Sequence, residues 1–342
     1  IESLDRRERG VGALILVPTR ELALQVAGEI GSLSGNSGLQ VLPVYGGQAF
    51  GPQFKGLKQG ADIVVGTPGR IIDHLRRGSL SLEDISFLVL DEADQMLDMG
   101  FIEDIRTILS HAREQRRTML FSATMPAAVI TIARKYMKGY RTIAVNSMPD
   151  AEKLTEQIYF EVRDQDKFEA LCRVIDMEQE FFGLVFCRTR VDTAEIASRL
   201  IHRGYAADGI HGDISQADRE KIMRGFRGKR ITILVATDVA ARGIDINSLT
   251  HVINYDLPQD TDAYTHRIGR TGRAGKKGIA ISFVTARERR FLETLKRTAG
   301  ASMRRGHIPG VGEVLTAKRL KIRTTIGQAI ADEKTGLYAD IA

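Results

Sequence analysis

Tryptophan is absent from these 342 residues and aromatic side chains make up only 6%, so nothing suggests an aromatic sugar-binding surface. Only two cysteines occur, Cys172 and Cys187, both in apolar surroundings, with no CxxC pair and no histidine cluster beside them. That disfavours a disulfide framework and a thiolate metal site, and leaves buried free thiols in a reducing compartment. No apolar run reaches 18 residues and the start carries no signal-peptide pattern, so no membrane-spanning helix is expected and a cytoplasmic location is. Low-complexity tracts are missing as well.

What is present is enough apolar material, 43% of residues, for two compact domains and a tail. Forty-nine Lys and Arg against 43 Asp and Glu give a net charge of +6, which fits a phosphate-bearing partner and fits an ordinary soluble protein equally well. Strand and helix patterns alternate, the signature of parallel sheets covered on both faces. Strands are expected at 12–17, 41–45, 63–65, 87–90, 118–121 and 142–145, with a helix from Arg20 to about Leu33. The polar stretch 146–155, with Pro149, breaks the alternation. A second series follows at 157–162, 183–186, 206–210, 231–235, 251–255 and 278–284. Beyond Arg287 a helix with Phe291, Leu295 and Ala299 on one stripe is expected, then a helical segment from Val311 with Leu315, Ile322, Ile326 and Ile330. The resulting division is residues 1–148, a linker at 149–156, a second domain at 157–300 and an extension at 301–342.

Four strings stand in order along this frame: Asp91-Glu92-Ala93-Asp94, Ser122-Ala123-Thr124, Ala236-Thr237-Asp238 running on to Arg242-Gly243-Ile244-Asp245, and His266-Arg267-Ile268-Gly269-Arg270-Thr271-Gly272-Arg273. Carboxylates at the carboxyl ends of parallel strands are where open α/β sheets hold ligands. Paired acids there can hold Mg²⁺ and orient water, and guanidinium forks suit phosphate oxygens better than lysine does. Taken alone, the last string also reads as a basic helix that binds nucleic acid. Together the four strings resemble the DEAD-box family of ATP-dependent RNA helicases, over nearly the whole chain.

The resemblance implies two tandem RecA-like parallel-sheet domains, the first incomplete at its N-terminus, with a short helical C-terminal extension. It makes Asp91 the metal-side residue and Glu92 the catalytic carboxylate, with Arg270 and Arg273 as arginine fingers. Gly243 and Asp245 would meet the nucleotide from the second lobe. Asp94, Ser122, Thr124 and His266 would couple the lobes. RNA contacts carry over to Thr19, Arg20, Gly47, Thr67, Arg70 and Asp73 in the first lobe. Arg188, Gln216, Arg219 and Thr237 are their counterparts in the second. ATP and Mg²⁺ are the implied cofactors and RNA backbone the implied partner, with no membrane. The tail resembles the start of the extension of bacterial cold-shock members, which implies a partner surface for its apolar stripe: either a second copy, giving a homodimer, or the protein's own second domain.

One departure stands out. No Gly-x-x-x-x-Gly-Lys-Ser/Thr occurs anywhere in the chain. The family carries that phosphate-cradling loop, after a glutamine motif, upstream of the strand at 12–17, so an N-terminally truncated form is expected. The expected function is local unwinding of short RNA duplexes as two lobes close on RNA. Alternatives are an RNA-binding or annealing remnant without ATP turnover, or a DNA helicase of the same superfamily.

Overall fold

The computed structural model describes residues 10–144, 155–241, 249–272, 275–298 and 303–331. They form two compact units, the first ending before residue 146 and the second following it.

In the first unit the chain runs β1 (Ala13–Leu16), α1 (Arg20–Ser34), β2 (Val41–Val44), α2 (Phe50–Gly60), β3 (Ile63–Gly66), α3 (Pro68–Arg76) and β4 (Phe87–Leu90). After these come α4 (Ala93–Asp98), α5 (Ile102–His111), β5 (Arg117–Leu120) and α6 (Ala127–Tyr136). The strands form one parallel sheet in the order β2-β3-β1-β4-β5. Period-two alternation sends Leu14, Leu16, Val64, Leu88 and Leu90 into one core and Ala13, Val17, Ile63 and Val65 into another on the opposite face. Both faces are thus dry, which is why the strands read as unbroken apolar runs. Pro43, which cannot donate to a ladder, sits on the edge strand β2, where that loss is tolerated.

The strand expected at 142–145 is not formed over its described part. Residues 142–144 join no ladder, and Ile143 is 87% exposed. An apolar segment becomes a strand only where a neighbouring backbone pairs with it, and none of the described residues offers one there.

The second unit contains β6 (Thr155–Glu161), α7 (Lys167–Met177), β7 (Gly183–Phe186), α8 (Arg190–His202), β8 (Ala207–Ile210), α9 (Gln216–Arg227) and β9 (Ile233–Ala236). It continues through α10 (Asp238–Ala241), β10 (His251–Asn254), α11 (Thr261–Ile268), β11 (Gly278–Val284), α12 (Arg289–Thr298), β12 (Arg304–Arg305) and α13 (Val311–Ala331). Its parallel sheet has the order β12-β6-β11-β10-β7-β9-β8. Helix starts are set by side-chain caps. Thr189, Ser215 and Asp260 each accept a hydrogen bond from the backbone N–H three residues on.

Two expectations shift here. β6 begins at Thr155, inside the stretch assigned to the linker, and β12 pairs with β6, so the segment after 300 adds a strand to the second sheet. On α12 the buried positions are Leu292 and Leu295, with Phe291 partly buried; Ala299 lies outside the described residues. α13 buries Val314 and anchors Lys318 on Asp176 of α7 at 2.7 Å. It leaves Leu315, Ile322 and Ile326 exposed. The side chain of Ile330 lies outside the described residues. No helix among the described residues is long and apolar enough to cross a membrane.

Candidate nucleotide site and nucleic-acid interface

At the carboxyl end of β4 the Asp91 N–H donates to the Leu16 carbonyl at 2.9 Å, extending the ladder by one residue. Glu92 then turns into the left-handed region, φ 49° and ψ 50°. For a residue with a Cβ this costs roughly 1 kcal/mol, and it reverses the chain into α4. The Glu92 N–H donates to Asp91 Oδ1 at 3.0 Å, and the Ala93 N–H to the Phe121 carbonyl at 3.0 Å.

Asp94 is buried and saturated. Its Oδ2 accepts from the Thr124 N–H and hydroxyl, both at 2.8 Å, and its Oδ1 from the Gln95 N–H at 3.0 Å. The Asp94 N–H donates to Ser122 Oγ at 3.1 Å. Burial pushes the Asp94 carboxyl up, but the donors from Thr124, Ser122 and Gln95 outweigh it and hold the group below its ordinary value. Asp91 goes the other way: burial raises it, the Glu92 N–H only partly offsets this, and the Asp94 charge adds to the rise. One acid of the pair is thus locked into structure as an anion, while the other is an anion at a cost. Such a group gains from a nearby cation.

The carboxyl ends of β1, β2 and β3 carry the first-lobe residues singled out above. Thr19 caps α1, accepting from the Leu22 N–H at 3.3 Å, and Arg20 is the first residue of that helix. Gly47 has φ 81°, and a Cβ there would collide with the Arg20 guanidinium. The positive φ calls for glycine, and any side chain there would have to push the Arg20 guanidinium aside. Thr67 precedes Pro68 at the start of α3, its N–H donating to the Val44 carbonyl at 3.0 Å. Arg70 donates from Nη1 to the Gln48 carbonyl at 3.0 Å and to Gln53 Oε1 at 3.1 Å, and lies 3.7 Å from Asp73 Oδ2. Its side chain keeps 9% of its surface, which suits a brace better than an open phosphate clasp.

In the second unit Arg188 follows β7, its N–H donating to Asp256 Oδ2 at 3.0 Å and its guanidinium pairing with Glu288 at 3.2 Å. Lys167 Nζ meets the other oxygen of Asp256 at 2.9 Å. Gln216 bonds Glu220 at 3.1 Å, Arg219 donates to the Ala240 carbonyl at 2.6 Å, and Thr237 accepts from the Ala240 N–H at 3.4 Å. Arg219 and Thr237 therefore meet at α10.

Arg267 and Arg270 of the fourth string do not share one helical face, contrary to what their spacing suggests. α11 ends at Ile268, so Arg267 lies inside the helix and Arg270 beyond it, partly buried like His266. Arg267 is buried and spends its whole fork on structure. It makes two bonds to the Asp238 carboxylate, at 2.6 and 2.7 Å, and Nη1 donates to Asn254 Oδ1 at 3.0 Å and the Asp256 carbonyl at 2.7 Å. Gly243, Asp245 and Arg273 lie outside the described residues.

Comparison with known proteins matches a DEAD/DEAH box helicase model at residues 1–132 and a helicase conserved C-terminal domain at 166–275. A DEAD-box ATP-dependent RNA helicase CshA of Geobacillus kaustophilus is 47% identical over 319 residues, covering 93% of this chain and 68% of that protein. This chain belongs to the DEAD-box helicase family. The CshA of Bacillus cereus is 44% identical across the whole chain, which spans 65% of that relative's length. Saccharomyces cerevisiae Dbp5, solved bound to RNA and ADP BeF3, aligns with a TM-score of 0.80 at 28% identity, covering 94% of this chain and 83% of that one. The aligned Dbp5 structure shares the RecA-like parallel-sheet fold of this chain's two units.

Within this DEAD-box chain, no group of three or more His, Cys, Asp or Glu among the described residues could hold a metal alone. Asp91 fits Mg²⁺ as a single carboxylate donor, with water and phosphate oxygens completing the shell. Sequence reading missed Gln53, His74, Lys167, Asp256 and the structural role of Arg267. Only a fold shows them, because each acts on residues distant in the chain.

Proposed function

We propose that this chain is the core of an ATP-dependent RNA helicase that opens short duplexes locally. The observation that carries the reading is the Asp94–Thr124–Ser122 lock beside the strained Glu92. It holds a carboxylate pair rigidly at a strand end, where a γ-phosphate and its attacking water would be met. Asp91 would hold Mg²⁺, which neutralises charge on the β- and γ-phosphates when bound. Glu92 would orient and deprotonate the water. Arg270 and Arg273 would face the charge that develops on the phosphoryl group, with Gly243 and Asp245 on the nucleotide. RNA and ATP would each favour a closed arrangement of the two units, so binding of one favours the other. The phosphate-facing set would be Thr19, Arg20, Gly47, Thr67, Asp73, Arg188, Gln216, Arg219 and Thr237, and would read backbone rather than bases. His266 would couple this set to the acidic loop.

The test uses the chain alone and the chain preceded by a segment carrying the phosphate-cradling loop. Alone, its RNA-stimulated ATPase is expected at background. With the segment, a short RNA duplex should open only with ATP, while Glu92→Gln should keep ATP-dependent RNA clamping and lose hydrolysis. Failure of the joined protein to turn over ATP would favour the annealing reading. Equal action on a DNA duplex would favour the DNA helicase, since contact with the 2′-OH separates the two.

Two copies would pair through the face of α13 that carries Leu315, Ile322 and Ile326, since its other face already rests on α7. Sedimentation with and without residues 311–342 checks this. A monomer in both cases would remove the dimer.

A further inference from the structure

The turn Gly46-Gly47-Gln48 touches Arg20 on one side and is bonded from the other by side chains that the reaction itself does not need. Gln53 of α2 is 1% exposed. Its Nε2 donates to the Tyr45 carbonyl at 2.9 Å and to Gln48 Oε1 at 3.0 Å. A carbonyl can only accept, so the amide's orientation is fixed and its oxygen faces α3. There Oε1 takes the Arg70 Nη1–H at 3.1 Å and lies 2.9 Å from His74 Nε2. With Oε1 as acceptor, the His74 proton sits on Nε2, while Nδ1 lies 2.8 Å from Ser79 Oγ, whose hydroxyl donates to the His74 carbonyl at 3.1 Å. Arg70 Nη1 closes the ring on the Gln48 carbonyl at 3.0 Å, and its guanidinium lies 4.0 Å from the Phe50 ring centroid. Both hydrogens of the Gln53 amide and its oxygen are used. Buried polar networks of this kind hold one geometry only while every member is satisfied.

We propose that Gln53, His74 and Arg70 are positioning residues that brace the Gly46–Gln48 turn and thereby set the Arg20 guanidinium for an RNA phosphate. Three anchor points of the turn, the Tyr45 carbonyl, the Gln48 carbonyl and the Gln48 side chain, are all held by this network. The guanidinium of Arg20 rests on Gly47, at the centre of the braced segment. Released, the turn would no longer give the Arg20 guanidinium a fixed seat at Gly47, and the phosphate contact would weaken although the charge remains. The proposal rests on the reading of Arg20 as an RNA contact, given above.

The test is a double-mutant cycle on the 342-residue chain, with single-stranded RNA affinity measured against salt. Gln53→Met keeps volume and net charge while deleting the amide. It is expected to weaken binding about tenfold, as for loss of a hydrogen bond to a charged group. The log–log salt slope should flatten by about 0.7, one phosphate contact on a single strand. A purely structural role of a neutral residue would not move that slope. In an Arg20→Ala background Gln53→Met should add nothing further. Thermal unfolding checks that each variant folds; if Gln53→Met does not, Gln53→Asn, which withdraws the amide by one carbon, carries the same comparison. An unchanged slope, or losses that add to those of Arg20→Ala, would overturn the bracing role. If Arg20→Ala itself leaves RNA affinity intact, the reading of Arg20 fails, and that outcome is distinct from the first.

Discussion

Arg270→Ala, in this chain preceded by a segment carrying the phosphate-cradling loop, is expected to lower the RNA-stimulated kcat by on the order of 10³-fold or more. The expectation comes from where the helix stops. Gly269 closes α11, and the Arg270 N–H turns back to the Arg267 carbonyl at 3.1 Å, so Arg270 leaves the helix from a fixed point. Arg267, four bonds deep in the unit, is that fixed point's anchor. A guanidinium presented in this way can wait for transition-state charge without being reorganised when it forms. RNA affinity without nucleotide should barely change. The opposite pattern, weaker RNA binding with kcat intact at saturating RNA, would mean that the fourth string is a plain basic surface.

Arg267→Met should instead act on folding. The substitution strands the Asn254 amide oxygen and the Asp256 carbonyl and leaves Asp238 without its partner. Removing one member of a buried ion pair costs about 3 to 5 kcal/mol. Asp238 is more than a third exposed and can be rehydrated, which favours the lower end, about 3 kcal/mol. For a unit of this size that is a fall of roughly 6–12 °C in the second unit's Tm, measurable by calorimetry. Arg267→Lys should recover little, because one ammonium cannot reach a bidentate carboxylate and two further acceptors at once. An unchanged Tm in Arg267→Met would show that the four bonds contribute nothing net.

The sheets were legible because parallel strands buried on both faces must be apolar throughout. Gly183–Phe186 and Gly278–Val284 fall where the apolar runs place them. Ile231 and Thr232 read as strand but precede it, since the ladder with β7 and β8 begins only at Ile233. Residues 142–144 show the limit of the same logic, because apolarity without a pairing partner makes no strand. The acidic loop was legible as a string, but the backbone inversion at Glu92 was not; nothing in Asp-Glu-Ala-Asp announces a positive φ, which local propensity disfavours. Arg267 and Arg270 look equivalent in the string. They differ because Asp238 and Asn254, brought in by β9 and β10, claim one and not the other. Gln53 and His74 carry no signal in the sequence, and only the fold sets their polar ends against each other.

The inverted backbone at Glu92 sets thermal robustness against turnover at one position. A glycine there would relieve a penalty on the order of 1 kcal/mol, less what it adds to unfolded-chain entropy. That same change deletes the carboxylate proposed to activate water. A laboratory selection that rewarded heat resistance alone would therefore put no pressure on keeping the carboxylate on which the proposed hydrolysis depends.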